Sequence, residues 1–302
     1  MNSLYKYRAF GLVILSEFPV LQIAEAEEQE PVDVRIVKKN LSEYGIAEID
    51  FQAEESMMML HVPAVADFRV TNGNCIEVDP DPVCTASHLA VYLMGSCMGA
   101  VLHQRGILPL HGSCVTDGSR SILITGGSGA GKSTMASEFL RHGWRLVTDD
   151  VAAILNIDDC PLVQSSYPSQ KLWPDSLEHY KRDSAQIHSL YEKEDRKKYG
   201  IHVEDCFHEG TAPLSMVVRL IPADADTQVA PLEGIAKVDQ LFRNTYRRYM
   251  IAEKNRQRHF QQCVTLSEKV LMCLAIRRKD ADTASDLYEL LTGYLEANQS
   301  GM

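Results

Sequence analysis

No two of the eight cysteines form a C-x-x-C pair, so neither a zinc site nor a disulfide framework is indicated. Cys75, Cys84, Cys97, Cys114, Cys160, Cys206, Cys263 and Cys273 are expected to be free, structural thiols. Long apolar runs are also missing. The most apolar stretch, Leu89 to Leu102, has 14 residues and is broken by Gly95, Ser96 and Gly99. A bilayer span needs about 20 apolar residues, so a buried helix is expected and no membrane partner. The N-terminus shows no signal-peptide cleavage site: Lys6 and Arg8 precede only the short run Ala9 to Leu15, then Ser16 and Glu17. A cytoplasmic location of bacterial type follows as the expectation. Positive charge is scarce, with 30 Lys and Arg against 41 Asp and Glu and a net charge of −11. That balance argues against nucleic acid as a partner. It leaves room for local anion sites, which work through backbone dipoles and single lysines.

What is present is ordinary globular composition, 45% hydrophobic and 24% charged in 302 residues, enough for one large core or two modest ones. Residues 1–82 read as a small strand-rich domain, with strands at Phe10–Leu15, Val32–Val37, Ile46–Phe51 and Met57–Val62 and a turn at Thr71–Asn74. The Pro- and Asp-bearing segment Asp79–Val83 marks a boundary, and 83–302 a second domain. There, a helix capped by Ser87 runs to about Gln104, and Ser121–Thr125 is an apolar strand. Lys132–Arg141 is an amphipathic helix, and Trp144–Thr148 a strand ending at Asp149 and Asp150. Such a β-loop-α-β unit favours an α/β fold with a parallel or mixed sheet. Farther on, Lys181–Gly200 reads as a charged loop and Leu214–Ile221 as a strand. Helices are expected at Ile235–Glu253, Ser267–Ala275 and Ala284–Ala297.

Gly126-Gly127-Ser128-Gly129-Ala130-Gly131-Lys132-Ser133, followed by Thr134, fits G-x-x-x-x-G-K-[ST] between a strand and a helix. Glycines let successive backbone N–H groups turn toward phosphate oxygens, and the helix N-terminus adds partial positive charge. Lys132 is expected to reach the β- and γ-phosphates and Ser133 to bind Mg²⁺. This points to a nucleoside triphosphate such as ATP, with magnesium, and leaves kinase, ATPase, GTPase and switch open. Asp149-Asp150, one helix later, offers one carboxylate for metal and one to accept a proton from an attacking hydroxyl. His111, in Leu110-His111-Gly112-Ser113, is either structural or catalytic on this reading, while His103, His142 and His208 carry no pattern.

Pro109-Leu110-His111-Gly112, Ile122-Leu123-Ile124-Thr125-Gly126, Gly131-Lys132-Ser133 and Arg145-Leu146-Val147-Thr148-Asp149-Asp150 resemble the core of HPr kinase/phosphorylase over Leu108 to Ile154. The resemblance implies a phosphoenolpyruvate carboxykinase-like P-loop fold and phosphorylation of a serine hydroxyl. It implies Asp149 as proton acceptor, Asp150 as its neighbour at the metal, and His111 as an active-site residue. The family's E-x-R-G-x-G signature is absent; Lys171-Leu172-Trp173-Pro174-Asp175 stands in the corresponding stretch, which puts the phosphorylase activity and the HPr substrate in doubt. Tyr5-Lys6-Tyr7-Arg8-Ala9-Phe10-Gly11-Leu12 and Leu102-His103-Gln104-Arg105-Gly106-Ile107-Leu108-Pro109-Leu110-His111 are similar to HPr-kinase-related proteins of peptide biosynthesis, including lasso-peptide precursor kinases. That likeness implies a precursor peptide as substrate, phosphorylated at its C-terminal serine.

Lys237, Arg243, Arg247, Arg248, Lys254, Arg256 and Arg258 make a basic stretch in an acidic chain. They are either a solvated helix face or holders of triphosphate, a peptide carboxylate or acidic substrate residues. Lys197 and Lys198 are similar candidates. A precursor-peptide kinase leads, with a small-molecule or other protein serine kinase of the same core and a non-enzymatic nucleotide-dependent interaction protein as alternatives. The sequence leaves self-association into a homo-oligomer open.

Overall fold

Alternation of apolar and polar side chains organises the N-terminal part, as in Ala66–Thr71, where Ala66, Phe68 and Val70 turn inward. The computed structural model describes residues 4–20, 23–172, 187–193, 196–279 and 281–298, with backbone alone at 171–172, 187–193 and 196–201. Strands β1 (Tyr5–Ala9), β2 (Leu12–Ser16), β3 (Ala24–Glu25) and β4 (Val34–Lys38) precede one helical turn, α1 (Ile46–Ile49). Then come β5 (Phe51–Ala53), β6 (Met57–Val62), β7 (Ala66–Thr71) and β8 (Cys75–Pro80), giving an eight-stranded sheet of order β3-β1-β2-β4-β8-β7-β6-β5.

Local backbone chemistry explains where the expected strands fail. Phe10 and Gly11 both have positive φ, 55° and 69°, the hairpin-turn conformation that matches strand twist. The run Phe10–Leu15 is therefore split, with Ala9 opposite Leu12. Ile46–Phe51 is not a strand. Gly45 at φ 56° starts a helical turn and Asp50 at φ 64° ends it, burying Ile46 with Leu41 and Met59. The turn expected at Thr71–Asn74 joins β7 to β8, with Asn72 and Gly73 at φ 54° and 63°.

Helices α2 (Ala86–Tyr92) and α3 (Met98–Gln104) flank a π-helical turn, Leu93–Cys97. Thr85 rather than Ser87 caps the start, its Oγ1 accepting from His88 N at 3.3 Å. The boundary expected after residue 82 falls between β8 and α2. Leu89, Leu93, Met94, Met98, Val101 and Leu102 nevertheless share one core with the N-terminal sheet, and Val151, Ala153, Tyr246 and Met250 join it. Among the described residues no helix is long and apolar enough to cross a membrane.

The second half contains β9 (Leu108–Thr116), β10 (Ser121–Thr125), α4 (Lys132–Arg141), β11 (Arg145–Leu155), β12 (Leu162–Gln164), β13 (Ser169–Leu172), β14 (Ile187–Lys193) and β15 (Arg196–His202). It ends with β16 (Thr211–Ala223), β17 (Gln228–Pro231), α5 (Ile235–Arg243), α6 (Arg256–Lys269), β18 (Leu271–Arg278) and α7 (Ala284–Ala297). The mixed sheet β10-β9-β11-β12-β16-β18-β17 also pairs β10 with β16, so it curls back on itself. One face packs on α4 and α7 through Met135, Phe139, Leu287 and Leu291. The other meets α5 and α6 through Val238, Leu241, Cys263 and Leu266.

Four expectations change here. β10 and β11 run in the same direction, but β9 lies antiparallel between them. Strand β11 continues through Asp149 and Asp150 to Leu155 instead of ending there. The helix from Ile235 stops at Arg243, because Asn244 and Thr245 pair with β9: His111 N donates to Asn244 O at 2.7 Å. Ser267–Ala275 is not a helix; α6 ends at Lys269 and the apolar run becomes the interior strand β18, between β16 and β17. Buried strands and helices share such apolar runs. Of the charged stretch Lys181–Gly200, residues 187–193 and 196–200 are in paired strands. Trp173, Pro174, Asp175, Lys181 and the side chains of Lys197 and Lys198 lie outside the described residues.

Cys97, Cys114, Cys263 and Cys273 are buried and none of the eight cysteines is disulfide-bonded; burial pushes the Cys263 and Cys273 thiols up to about 12.

Two stability tests follow from this packing. A Cβ at Gly112 would lie 2.5 Å from Ile124 O and 2.9 Å from Leu123 Cδ1. Gly112→Ala should therefore cost about 1–3 kcal/mol in denaturant unfolding, and an unchanged midpoint would show that β9 and β10 are not this close. His259 is buried, its Nε2 2.8 Å from Thr245 Oγ1. Burial first, then His103 and Arg248, lowers its pKa from 6.5 to about 4. The unfolded chain therefore takes up the proton first, so this contribution is full above pH 6.5 and lost as pH falls toward 4. The melting temperature should drop across that window, and His259→Gln should flatten the drop; equal slopes would contradict it.

Candidate active site

Strand β10 delivers the chain to Gly126, which sits so close to β16 that a Cβ there would be 2.6 Å from Leu220 O. Thr125 Oγ1, just before it, donates to Val218 O at 2.8 Å and accepts from Gln240 Nε2 at 2.9 Å. Both bonds are buried, so the root of the loop is fixed from two sides. The loop then rises into solvent: Gly127, Ser128 and Gly129 are exposed, while Ala130 is buried. Helix α4 begins at Lys132, directing its N-terminal N–H groups at the loop, the arrangement that favours an anion. Lys132 Nζ lies over the loop and donates to Gly126 O and Gly127 O, each at 3.1 Å. Thr134 follows, half-buried on the first turn of α4.

Strand register then brings the acids to this loop. Ile124 on β10, Ser113 on β9 and Asp149 on β11 form one row across the sheet. Asp149 is 4% exposed. Its Oδ1 accepts from Ser113 Oγ, and Ser133 Oγ stands 3.1 and 3.3 Å from its two oxygens. The carboxylate therefore reaches the phosphate loop across an intervening strand. Alternation along β11 would send the next side chain to the other face. Asp150 instead has φ 97°, a left-handed backbone that non-glycine residues adopt at a cost of about 1–2 kcal/mol. Its carboxylate lies 3.3 Å from His111 Nδ1, which is also 3.0 Å from Asp150 O. The Asp150 and His111 side chains are 21% and 36% exposed, so this pair is the open side of the site and Asp149 the closed side.

All the singled-out residues of the loop, with Asp149, Asp150 and His111, thus fall at one end of the curled sheet. Their chemistry is a glycine-rich loop at a helix N-terminus that can take an anion, a hydroxyl–carboxylate pair of hard oxygens, and a second carboxylate beside an imidazole. Among the described residues no group of three or more His, Cys, Asp or Glu forms a metal cage. Ser133 with one carboxylate of the Asp149–Asp150 pair suits an ion such as Mg²⁺, which takes one or two carboxylates and completes its shell with phosphate and water. The basic stretch does not act as one face. Arg243 pairs with Asp239 at 2.6 Å, Arg248 stacks on Phe242 at 4.8 Å, Lys254 reaches Glu55 at 3.4 Å, and Lys237 donates to Val270 O.

Several supporting residues had no sequence signal. Gln170, fully buried, donates to Ser133 O at 2.9 Å and accepts from Ser137 Oγ at 3.0 Å. Arg277 Nε donates to Ala130 O at 2.8 Å from β18, bracing the loop's far side. Tyr246, bonded through its N to Pro109 O at 2.9 Å, sets its ring 6.0 Å from that of His111. Only Ser113 was within reach of sequence reasoning, since it stands two residues after His111 on the same strand face.

Residues 107–172 match the family model described as the HPr serine kinase C-terminal domain. An HPr kinase/phosphorylase from Clostridium beijerinckii is 53% identical over 49 residues, 16% of each chain. One from Listeria welshimeri is 42% identical over 60 residues, 20% of this chain and 19% of its own. One from Lacticaseibacillus casei is 29% identical over 143 residues, 41% and 44% of the two chains. The chain thus spans under half the length of these curated relatives. A solved HPr(Ser) kinase/phosphatase from Coxiella burnetii aligns at 10% identity and a TM-score of 0.34, over 64% of this chain and 93% of its own, too loose an agreement to carry weight. The segment from β9 to β11, bearing His111, the glycine-rich loop and the two aspartates, is similar in sequence to the C-terminal domain of HPr serine kinases.

Proposed function

We propose that this protein is an ATP- and Mg²⁺-dependent kinase that phosphorylates a serine hydroxyl of a ribosomally made precursor peptide. The observation that carries it is the contact of Ser133 Oγ with Asp149 at the foot of the phosphate loop, with Asp150 and His111 beside it. The family match over residues 107–172 supports the reaction class. The likeness of Tyr5–Leu12 and Leu102–His111 to lasso-peptide precursor kinases supports the C-terminal serine of such a peptide as acceptor.

The loop amides and Lys132 hold the β- and γ-phosphates. Ser133, with Asp150 beside the site, would hold magnesium, which would neutralise charge on the phosphate oxygens. The serine O–H gives its proton to a carboxylate as its oxygen bonds to the γ-phosphorus; the bond to the β–γ bridging oxygen breaks, and that oxygen leaves with ADP. Asp149 is the proposed proton acceptor, because it lies nearest Ser133 and hence the phosphoryl group. With the Ser133 oxygen at the metal, the Asp149 carboxylate beside it would face the acceptor hydroxyl. The greater exposure of Asp150 and its contact with His111 favour a second reading, in which these two receive the proton and Asp149 serves the metal alone.

Mass spectrometry after incubation with ATP, Mg²⁺ and serine-terminated precursor peptides should show a gain of one phosphate. Asp149→Asn should lower kcat by about 10²–10⁴-fold with ATP affinity within a few-fold of wild type, whereas Lys132→Ala should weaken ATP binding itself. Asp150→Asn should then alter the Mg²⁺ requirement more than it alters kcat at saturating metal. The opposite pattern would exchange the roles of the two aspartates, and near-normal turnover in both variants would remove the carboxylates from the chemistry.

A further inference from the structure

Within the basic stretch, one arginine stands apart. Arg247 adopts φ 47° and ψ 47°, a left-handed conformation that an arginine enters only against its steric preference. Such strain persists where surrounding structure imposes it, and clusters at functional sites. The imposing structure is visible on both sides. Before it, Asn244 O, Thr245 and Tyr246 N are tied to β9 at His111, Leu110 and Pro109. After it, Met250 N donates to Arg247 O at 2.8 Å and closes a tight turn. Tyr246 is seated where the π-helical turn brings two glycines: a Cβ at Gly95 would be 3.1 Å from the Tyr246 hydroxyl and one at Gly99 2.9 Å from its ring.

The Arg247 side chain is held by tyrosines. Its guanidinium carbon is 5.7 Å from the Tyr246 ring centre, and Nη1 donates to Tyr249 Oη at 3.1 Å. Tyr249 is 53% exposed and packs edge-on against Phe51 of the N-terminal sheet at 4.8 Å. Among the described residues the polar neighbours of the Arg247 guanidinium are Tyr246 and Tyr249, not a carboxylate. The result is a fork of N–H donors, ordered by two aromatic neighbours, with no anion on it among the described residues, one ring away from His111. A planar carboxylate is the group that such a fork binds best.

We propose that Arg247 binds the terminal carboxylate of the acceptor peptide, placing the serine hydroxyl of that last residue before Asp149 and Asp150. This rests on the kinase reading and adds to it the feature by which the acceptor is selected. Arg247 would be a specificity-determining residue on the acceptor side. A peptide whose end is blocked would lose the anchor and keep its serine.

The test compares two synthetic peptides of one sequence ending in serine, one a free acid and one a C-terminal amide, with ATP and Mg²⁺. Wild-type protein should use the acid at least about tenfold better in kcat/KM, the range expected for one charged hydrogen-bonding partner. Arg247→Gln should bring the ratio near one and leave the KM for ATP unchanged. Arg247→Gly should do the same while its melting temperature holds or rises, since glycine accepts the left-handed backbone freely. Equal use of acid and amide by the wild type would overturn the assignment and leave the kinase reading standing. So would an undiminished ratio in Arg247→Gln, or a raised KM for ATP with the ratio intact, which would give the arginine to the nucleotide. Phosphorylation of neither peptide by a protein that binds ATP would remove the peptide-kinase reading, and this inference with it.

Discussion

Everything at this site depends on how closely β9 can lie against β10. The phosphate loop rises from β10 and the acidic pair sits on β11, with β9 between them. Gly112 lets the backbones approach to a distance that any side chain would forbid. Ser113, the next residue, fills the gap in the row with a hydroxyl that Asp149 can accept from. The carboxylate is thereby carried across a strand to Ser133 at 3.1 Å. A larger residue at Gly112 would widen this spacing before it touched any group of the site itself.

The same strand links the site to the rest of the molecule. The end of α5 peels off to pair with Pro109, Leu110 and His111, and Tyr246 carries that contact into the core shared with the N-terminal sheet. The two halves are therefore packed as one around the proposed acceptor side, whereas the glycine-rich loop is braced by Gln170, Gln240 and Arg277 from the second half alone. This division suits a reaction in which a common phosphate donor meets a particular acceptor. Rigid bracing of the proposed donor cradle would keep a phosphoryl group in place.

Much of the site was legible in the sequence because its signals are local. A phosphate loop needs its glycines, lysine and serine in one contiguous run, and its flanking strand and helix show the expected periods. What the sequence concealed is tertiary. The insertion of β9 between β10 and β11 is a matter of topology, and nothing in Leu108–Thr116 announces it. The strand in place of a helix at Leu271–Arg278 reflects burial by flanking strands, which an apolar run alone does not distinguish from a helix. The early end of α5 follows from a pairing more than a hundred residues away in sequence, at His111. Asp150 and Arg247, both in left-handed backbone, break local preference where the chain meets the site, and no propensity argument foresees such residues.

The most direct measurement is a crystal structure with Mg²⁺ and a non-hydrolysable ATP analogue. The expected result is magnesium on Ser133 Oγ at about 2.1 Å, with the γ-phosphate between the loop and the Asp149–Asp150 pair and space for a hydroxyl in line. Triphosphate bound away from the loop, or an Asp149 carboxylate turned from the γ-phosphate with no room for an acceptor, would contradict the account.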